Sequence, residues 1–156
     1  MKNIDNIDKL LSADNKNDSI ITLDNFICEL CEWGDNMNVL TEPQKIFYYN
    51  QNLEREINNG GFNQYFVNSS GNFAHETILS LQAVGANKTA DILIQASNQF
   101  PEKKVPKDRD ARIEKVEQIE SAANDIWEDL DQKFFAYQED LNSLNLDFVK
   151  KYKDNF

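Results

Sequence analysis

Apolar residues recur along this chain at three- and four-residue intervals, and that spacing divides it into helices. Leu23, Phe26, Ile27, Leu30 and Cys31 complete an i, i+3, i+4, i+7, i+8 stripe. Thr22 is placed to cap that helix and Gly34 to stop it just after Trp33. Ile46, Tyr49, Leu53 and Ile57 mark a second face, whose start is signalled by Thr41-Glu42-Pro43-Gln44, a capping box with proline in the first turn. Asn72 reads as the cap of a third helix carrying Ala74, Ile78 and Leu81 up to Gly85. Asn87 reads as the cap of a fourth, with Ala90, Leu93, Ile94 and Ser97 on one side and its end at Phe100-Pro101. Their very short connection makes these two an antiparallel αα-hairpin. Ile113, Val116, Ile119, Ala123, Ile126, Leu130 and Phe134 then keep helical spacing, as one long helix or as two meeting near Asn124. The last helix runs from about Leu144 to Tyr152, burying Phe148, Val149 and Tyr152, with Lys150, Lys151 and Lys153 complementing its C-terminal dipole. No segment sustains a period of two, so the fold class is all-α.

One stretch interrupts this pattern. Asn59-Gly60-Gly61 demands backbone conformations closed to other residues, so Gly60 or Gly61 is expected at positive φ. Asn68-Ser69-Ser70-Gly71 is a turn whose side chains can bond their own backbone. Between the two lies an aromatic unit in which Phe62, Tyr65 and Phe66 share one face of a short helix. Residues 1–18, rich in Asn, Asp and Lys, read as a flexible arm with a short amphipathic helix at Ile4, Ile7, Leu10 and Leu11 and loop up to Asp18. Residues 19–156 read as a single helical domain, with 101–107 as its one clear linker.

Charge changes the picture most. Sixteen Lys and Arg against 27 Asp and Glu give a net charge of −11, which disfavours nucleic acid and anionic membrane as partners and favours basic ones. No stretch is long and apolar enough to span a bilayer, and a beginning that contains Asp5 and Asp8 lacks a secretory apolar region. The two cysteines supply no disulfide framework, so a cytoplasmic location is expected. Cys28 and Cys31 fall mid-helix between Glu29 and Glu32, which disfavours thiolate, and read as core rather than redox or metal ligands. His75 is the one histidine and reads as an exposed or capping side chain; with Asn72 three residues before it, it makes no Glu-x-x-His pair. No phosphate loop or dinucleotide pattern is present. The chain reads as a non-enzyme without a cofactor.

Glu56, Asn59-Gly60-Gly61-Phe62, Gln64-Tyr65-Phe66 and Asn68-Ser69-Ser70-Gly71 together resemble the signature of a bacterial all-helical family of unknown function that includes a DNA-mimic protein. The likeness extends over roughly residues 41–150, through Ala74, Val84-Gly85-Ala86 and Phe100-Pro101, and more weakly through Trp127 to Asp131, Phe134-Phe135 and Glu139 to Leu141. It implies a helical, often dimeric protein. In one member an acidic surface imitates duplex DNA and covers the DNA-binding face of a helix-turn-helix regulator. The shared motif itself consists of glycines, aromatics and amides, so it reads mainly as a structural elbow, with a polar pocket around Glu56, Gln64 and Asn68 as the sharper reading.

The charge needed for mimicry is concentrated late in the chain. Glu117, Glu120, Asp125, Glu128, Asp129, Asp131, Glu139, Asp140 and Asp147 face a single base, Lys133, between residues 117 and 147, so that segment nets −9 + 1 = −8. Glu114 precedes it, and the acids from Glu114 to Asp140 are expected to form one surface that binds a basic DNA-binding protein or toxin. A second stretch, Thr22 to Glu42, holds Asp24, Glu29, Glu32, Asp35 and Glu42 without a base. The same chemistry suits an immunity protein filling a nuclease cleft; a helical module with no charged partner is the third reading.

Overall fold

The computed structural model describes residue 4 and residues 6–156, which form seven α-helices and no strand. These are α1 (Ile7–Leu11), α2 (Lys16–Leu30), α3 (Glu42–Val67), α4 (Ala74–Ala83), α5 (Asn87–Ser97), α6 (Arg109–Phe135) and α7 (Leu141–Lys151), joined by short 3-10 turns. The fold is all-α, as the hydrophobic spacing requires. The part of the arm on residues 1–3 and 5, Asp5 among them, lies outside the described residues, and Ile4 precedes α1 instead of starting it.

Helix α3 is the centre, and α2, α4, α6 and α7 all pack on it. Its start is the expected capping box: Thr41 Oγ1 accepts from Gln44 N at 3.3 Å, and Gln44 Oε1 accepts from Thr41 N at 2.9 Å. One core joins the far end of α3 to α4, α5 and α6 through Leu53, Phe62, Phe66, Leu81, Leu93, Trp127 and Leu130. A second joins α2, the near end of α3 and the chain's end through Leu23, Ile27, Cys28, Phe47, Val149 and Phe156. Phe47 and Phe156 meet edge to face at 6.1 Å, a geometry that aromatic quadrupoles favour.

The structure corrects several boundaries. Helix α2 begins at Lys16, capped by Asn15, whose side chain accepts from Asn17 N and Asp18 N. Thr22 is inside the helix and donates its hydroxyl to Asp18 O at 2.8 Å. The run before Asp18 is therefore not all loop, because Asn15, seven residues before Thr22, takes the free N–H groups first. Ile4, Ile7, Leu10 and Leu11 pack against the second core. Asn72 caps nothing, since α4 starts after a 3-10 turn spanning Ser69–Phe73. Asn87 is the first residue of α5, not its cap, and makes no side-chain cap bond. Helix α6 is unbroken through Asn124, while Ile126 and Tyr152 are exposed rather than buried.

His75 is half-buried and its Nε2 accepts the N–H of Val105 at 3.3 Å, pinning residues 101–107 to α4. Cys28 and Cys31 are fully buried, and burial pushes the Cys28 thiol up to about 12. Both are core residues, Cys31 from its place in the stripe and Cys28 from the position beside Ile27. No helix among the described residues is long and apolar enough to cross a membrane.

Candidate functional site

The glycine pair bends α3 into two arms. Gly60 keeps an extended φ of −161°, whereas Gly61 takes φ 73° and ψ −171°, a combination essentially confined to glycine. The bend exposes a fresh helix N-terminus at Phe62, whose N–H donates to Asp131 Oδ1 at 2.9 Å. Burial pushes the Asp131 carboxyl above its usual range, and that N–H pulls it partly back. Across the bend, Glu56 Oε2 accepts from Gln64 Nε2 at 2.7 Å and from Asn68 Nδ2 at 2.9 Å, and Asn59 donates to Gln64 Oε1 at 3.1 Å. The polar motif residues thus bond one another and hold the two arms at their angle.

The aromatic unit is the wedge this bend drives into the core. Phe62, Tyr65 and Phe66 are wholly buried, with the Phe66 ring 4.9 Å from Phe100 and 5.4 Å from Trp127. Tyr65 donates its hydroxyl to Thr77 at 3.1 Å, and its burial raises the phenol well above its ordinary range. The Asn68–Gly71 turn closes the short arm: Ser70 donates to Tyr65 O, while Ser69 is exposed.

Arg112, inside α6, finishes the job at the other end. Fully buried, it donates to Phe66 O at 2.6 Å, Asn68 O at 2.8 Å, Asn72 Oδ1 at 2.7 Å, Pro106 O at 2.8 Å and Lys107 O at 3.1 Å. Nothing in the sequence distinguished it from the charged residues around it. Its guanidinium also explains Gly71, where a Cβ would stand 2.6 Å from Arg112 Nε.

The acids distribute by helix geometry. With about 100° between successive residues, Asp110, Glu114, Glu117, Asp125 and Glu128 fall within an arc of about 80° on α6, and all five are exposed. Glu120 and Asp131 flank that row on the side of the elbow, where Glu120 accepts from Asn63 Nδ2 at 3.0 Å. Lys115 and Lys133 lie about 80° beyond its other edge, and Lys133 pairs with Asp129 at 2.6 Å. Glu114, Glu117, Glu120, Asp125 and Glu128 form no ion pair among the described residues. Asp125, Glu128, Asp129, Asp131 and Gln132 border a shallow depression of about 460 Å³ with the half-exposed Phe135. Asp110, which the sequence reading left out, stands at the head of the row.

Two more of the nominated acids, besides Asp131 and Glu120, have work inside the fold. Asp140 caps α7, accepting from Ser143 N at 2.9 Å and from its hydroxyl. Glu139 reaches the start of α5, accepting from Lys88 N at 3.1 Å and from Thr89 N and Oγ1 at 3.0 and 2.9 Å. It supplies the cap that Asn87 does not. In the earlier acidic stretch, Asp24 pairs with Arg55 at 2.5 Å and Glu42 with Lys45 at 2.6 Å, while Glu29, Glu32 and Asp35 are exposed.

Burial opposes ionisation of Glu139, but the bonds from Thr89 and Lys88 outweigh it and hold the carboxyl below its usual range. A lowered carboxylate pKa adds stability above the unfolded value of about 4.3, lost as pH falls through the folded one. Glu139→Gln is therefore expected to cost about 1 kcal/mol at pH 7, the usual worth of a cap. Urea titrations of parent and variant over a series of falling pH values check this, since the difference should shrink as the folded carboxyl becomes protonated.

These features define a small all-helical acidic protein organised on a glycine elbow, with a carboxylate row along its longest helix. A family model described as DMP19-like protein matches residues 38–152. The chain belongs to that family, the all-helical family with a DNA-mimic member that the motif at residues 56–71 resembles. Searches of curated proteins and of solved structures return no match. No group of three or more His, Cys, Asp or Glu among the described residues is placed to hold a metal ion.

Proposed function

We propose that this protein is a binding protein, not an enzyme, and that its α6 carboxylates stand in for DNA phosphates before a basic DNA-binding protein such as a helix-turn-helix regulator. The observation that carries this reading is the separation of signs on α6, with five exposed acids on one face and both lysines beyond its edge. From Asp110 to Asp131 the helix holds eight acids, one per about 4 Å of axis at 1.5 Å per residue. One strand of duplex DNA carries a charge every 3.4 Å or so. A groove of lysine and arginine built to meet phosphates would meet carboxylates at similar density. The elbow serves this surface by tying Asp131 and Glu120 to the short arm of α3, which fixes the roll of α6.

The test is capture from host lysate on the immobilised parent and on Glu114→Gln/Glu117→Gln/Asp125→Gln/Glu128→Gln, with duplex DNA as competitor. The parent is expected to retain a basic DNA-binding protein that duplex DNA displaces and that is lost at about 0.5 M salt, where screening is nearly complete. The variant is expected to retain little of it. Equal retention by both proteins would defeat the proposal, and recovery of a nuclease would assign the surface to immunity instead of regulation.

A further inference from the structure

The outward arc of α6 carries one residue that does not match its neighbours. Phe135 follows Glu117 by 18 residues, about five full turns, so the two lie at the same angle on the helix. It is the one apolar residue in the arc that holds Asp110, Glu114, Glu117, Asp125 and Glu128. Its side chain is 42% exposed and belongs to neither core. Ile126 is exposed to the same extent but stands nine residues before it, about 180° round the helix and off the row. The carboxylate row therefore ends on an exposed aromatic ring.

That ring also shapes the surface in front of it. With Asp125, Glu128, Asp129, Asp131 and Gln132 it borders the depression of about 460 Å³, which continues the row. Asp131 stands four residues before Phe135, where helical side chains are neighbours. Side chains on a helix lean toward its N-terminus, which carries the ring toward that carboxylate. Asp129 is committed to Lys133, but Asp125, Glu128 and Asp131 form no ion pair among the described residues. A cation entering here meets carboxylates on one side and an aromatic face on the other. Exposed carboxylates alone hold a cation weakly, because water competes for both charges. The negative face of a ring adds attraction, and its apolar surface covers the cation's stem.

We propose that Phe135 is the anchor of the α6 surface, taking an arginine side chain of the basic partner. The guanidinium lies on the ring and faces Glu128 and Asp131 across the depression. Arginine fits better than lysine because its planar, weakly hydrated head stacks on aromatic faces, whereas an ammonium is a compact, strongly hydrated point charge. Arginine and aromatic residues are also the types that dominate binding energy at protein interfaces. The partner in this inference is that of the mimicry reading, on which it rests; what it adds is a contact that a row of phosphates does not offer.

Amide NMR titration of the full chain with hexa-arginine and hexa-lysine peptides tests it. Saturable shifts are expected at the Gln132 side-chain amide and the Phe135 N–H. Phe135→Ser, at an exposed position, should weaken hexa-arginine about two- to fivefold and hexa-lysine less. Phe135→Trp should bind hexa-arginine at least as tightly as the parent, because indole offers cations the best face; a ring with a purely structural role would give no such rescue. Equal affinity of parent and Phe135→Ser for hexa-arginine would overturn the anchor, and weaker binding by the α6 charge variant would then leave the mimicry reading standing. A charge variant that binds as the parent does, with Phe135→Ser still weakened, would defeat mimicry and keep the aromatic contact. Absence of saturable shifts with either peptide up to about 1 mM, a weak affinity for any specific contact, would overturn the proposal.

Discussion

Arg112→Met is expected to lower stability by about 3–5 kcal/mol, the largest effect of any single substitution proposed for this chain. The arginine is a buried cation with no carboxylate partner among the described residues, held instead by four backbone carbonyls and one amide oxygen. Two of those carbonyls, of Phe66 and Asn68, belong to the end of the short arm of α3, the negative pole of a helix. The other two, of Pro106 and Lys107, fix the linker entering α6. Methionine fills the space and takes the donors from Phe66 O, Pro106 O, Lys107 O and Asn72 Oδ1, while Asn68 O keeps the Gly71 N–H; each acceptor left unpaired costs about 1–3 kcal/mol before relaxation and entering water reduce the sum. Arg112→Lys keeps the charge but not the fork, and should fall between the two. Thermal melting should show the methionine variant roughly 10–15 °C below the parent, at about 2–4 °C per kcal/mol for a chain of this size. A loss of under about 2 °C would mean that the carbonyls find other partners and that Arg112 is not the clamp.

Much of this fold is legible in the sequence because the information is local. The capping box at Thr41, the stripe through Leu23 and Ile27, and the unbroken spacing from Ile113 to Phe134 depend on residues within a turn or two of each other. The stripe also settled the cysteines. Three of the misreadings are of helix starts, two of them decided by residues from across the fold. Thr22 and Asn72 are good capping types in capping positions, yet Asn15 starts α2 earlier and the Asn72 amide is taken by Arg112 from across the fold. Asn87 loses its role to Glu139, 52 residues away in the chain. A propensity argument weighs only the local contender.

The candidate site divides along the same line. Glycines that require a bend, and aromatics that share its inner face, announce an elbow in any single sequence, and Gly61 has the positive φ expected of one of the pair. The acid row is half legible: the concentration of charge shows in a count, but its sidedness needs the helix to be continuous. Once it is, Asp110 joins the row, while Glu139 and Asp140 turn out to cap helices. Arg112 gives no signal at all. An arginine in a charged run is ordinary until the fold buries it.

Gly61→Ala is expected to cost about 2–4 kcal/mol, and the comparison with Gly60→Ala makes the reason testable. At Gly61 the backbone occupies a region that costs a residue with a Cβ about 1–3 kcal/mol, and the added methyl would overlap the Asp131 carboxylate. Asp131 must then retreat, giving up its bond to Phe62 N and leaving the new helix start uncapped. Gly60 has no positive φ, and a methyl there meets the Gln64 side chain, whose amide end can move although its Cβ, at 2.9 Å, is fixed. Gly60→Ala should therefore be the milder change. Asp131→Ala separates the two contributions at Gly61. If the overlap matters, Gly61→Ala will cost less in the Asp131→Ala background than in the parent, a coupling that a double-mutant cycle reads directly. Strict additivity would assign the whole cost to backbone strain. A Gly61→Ala protein that unfolds with the parent in urea would mean that the bend is set by the aromatic packing and not by the glycine.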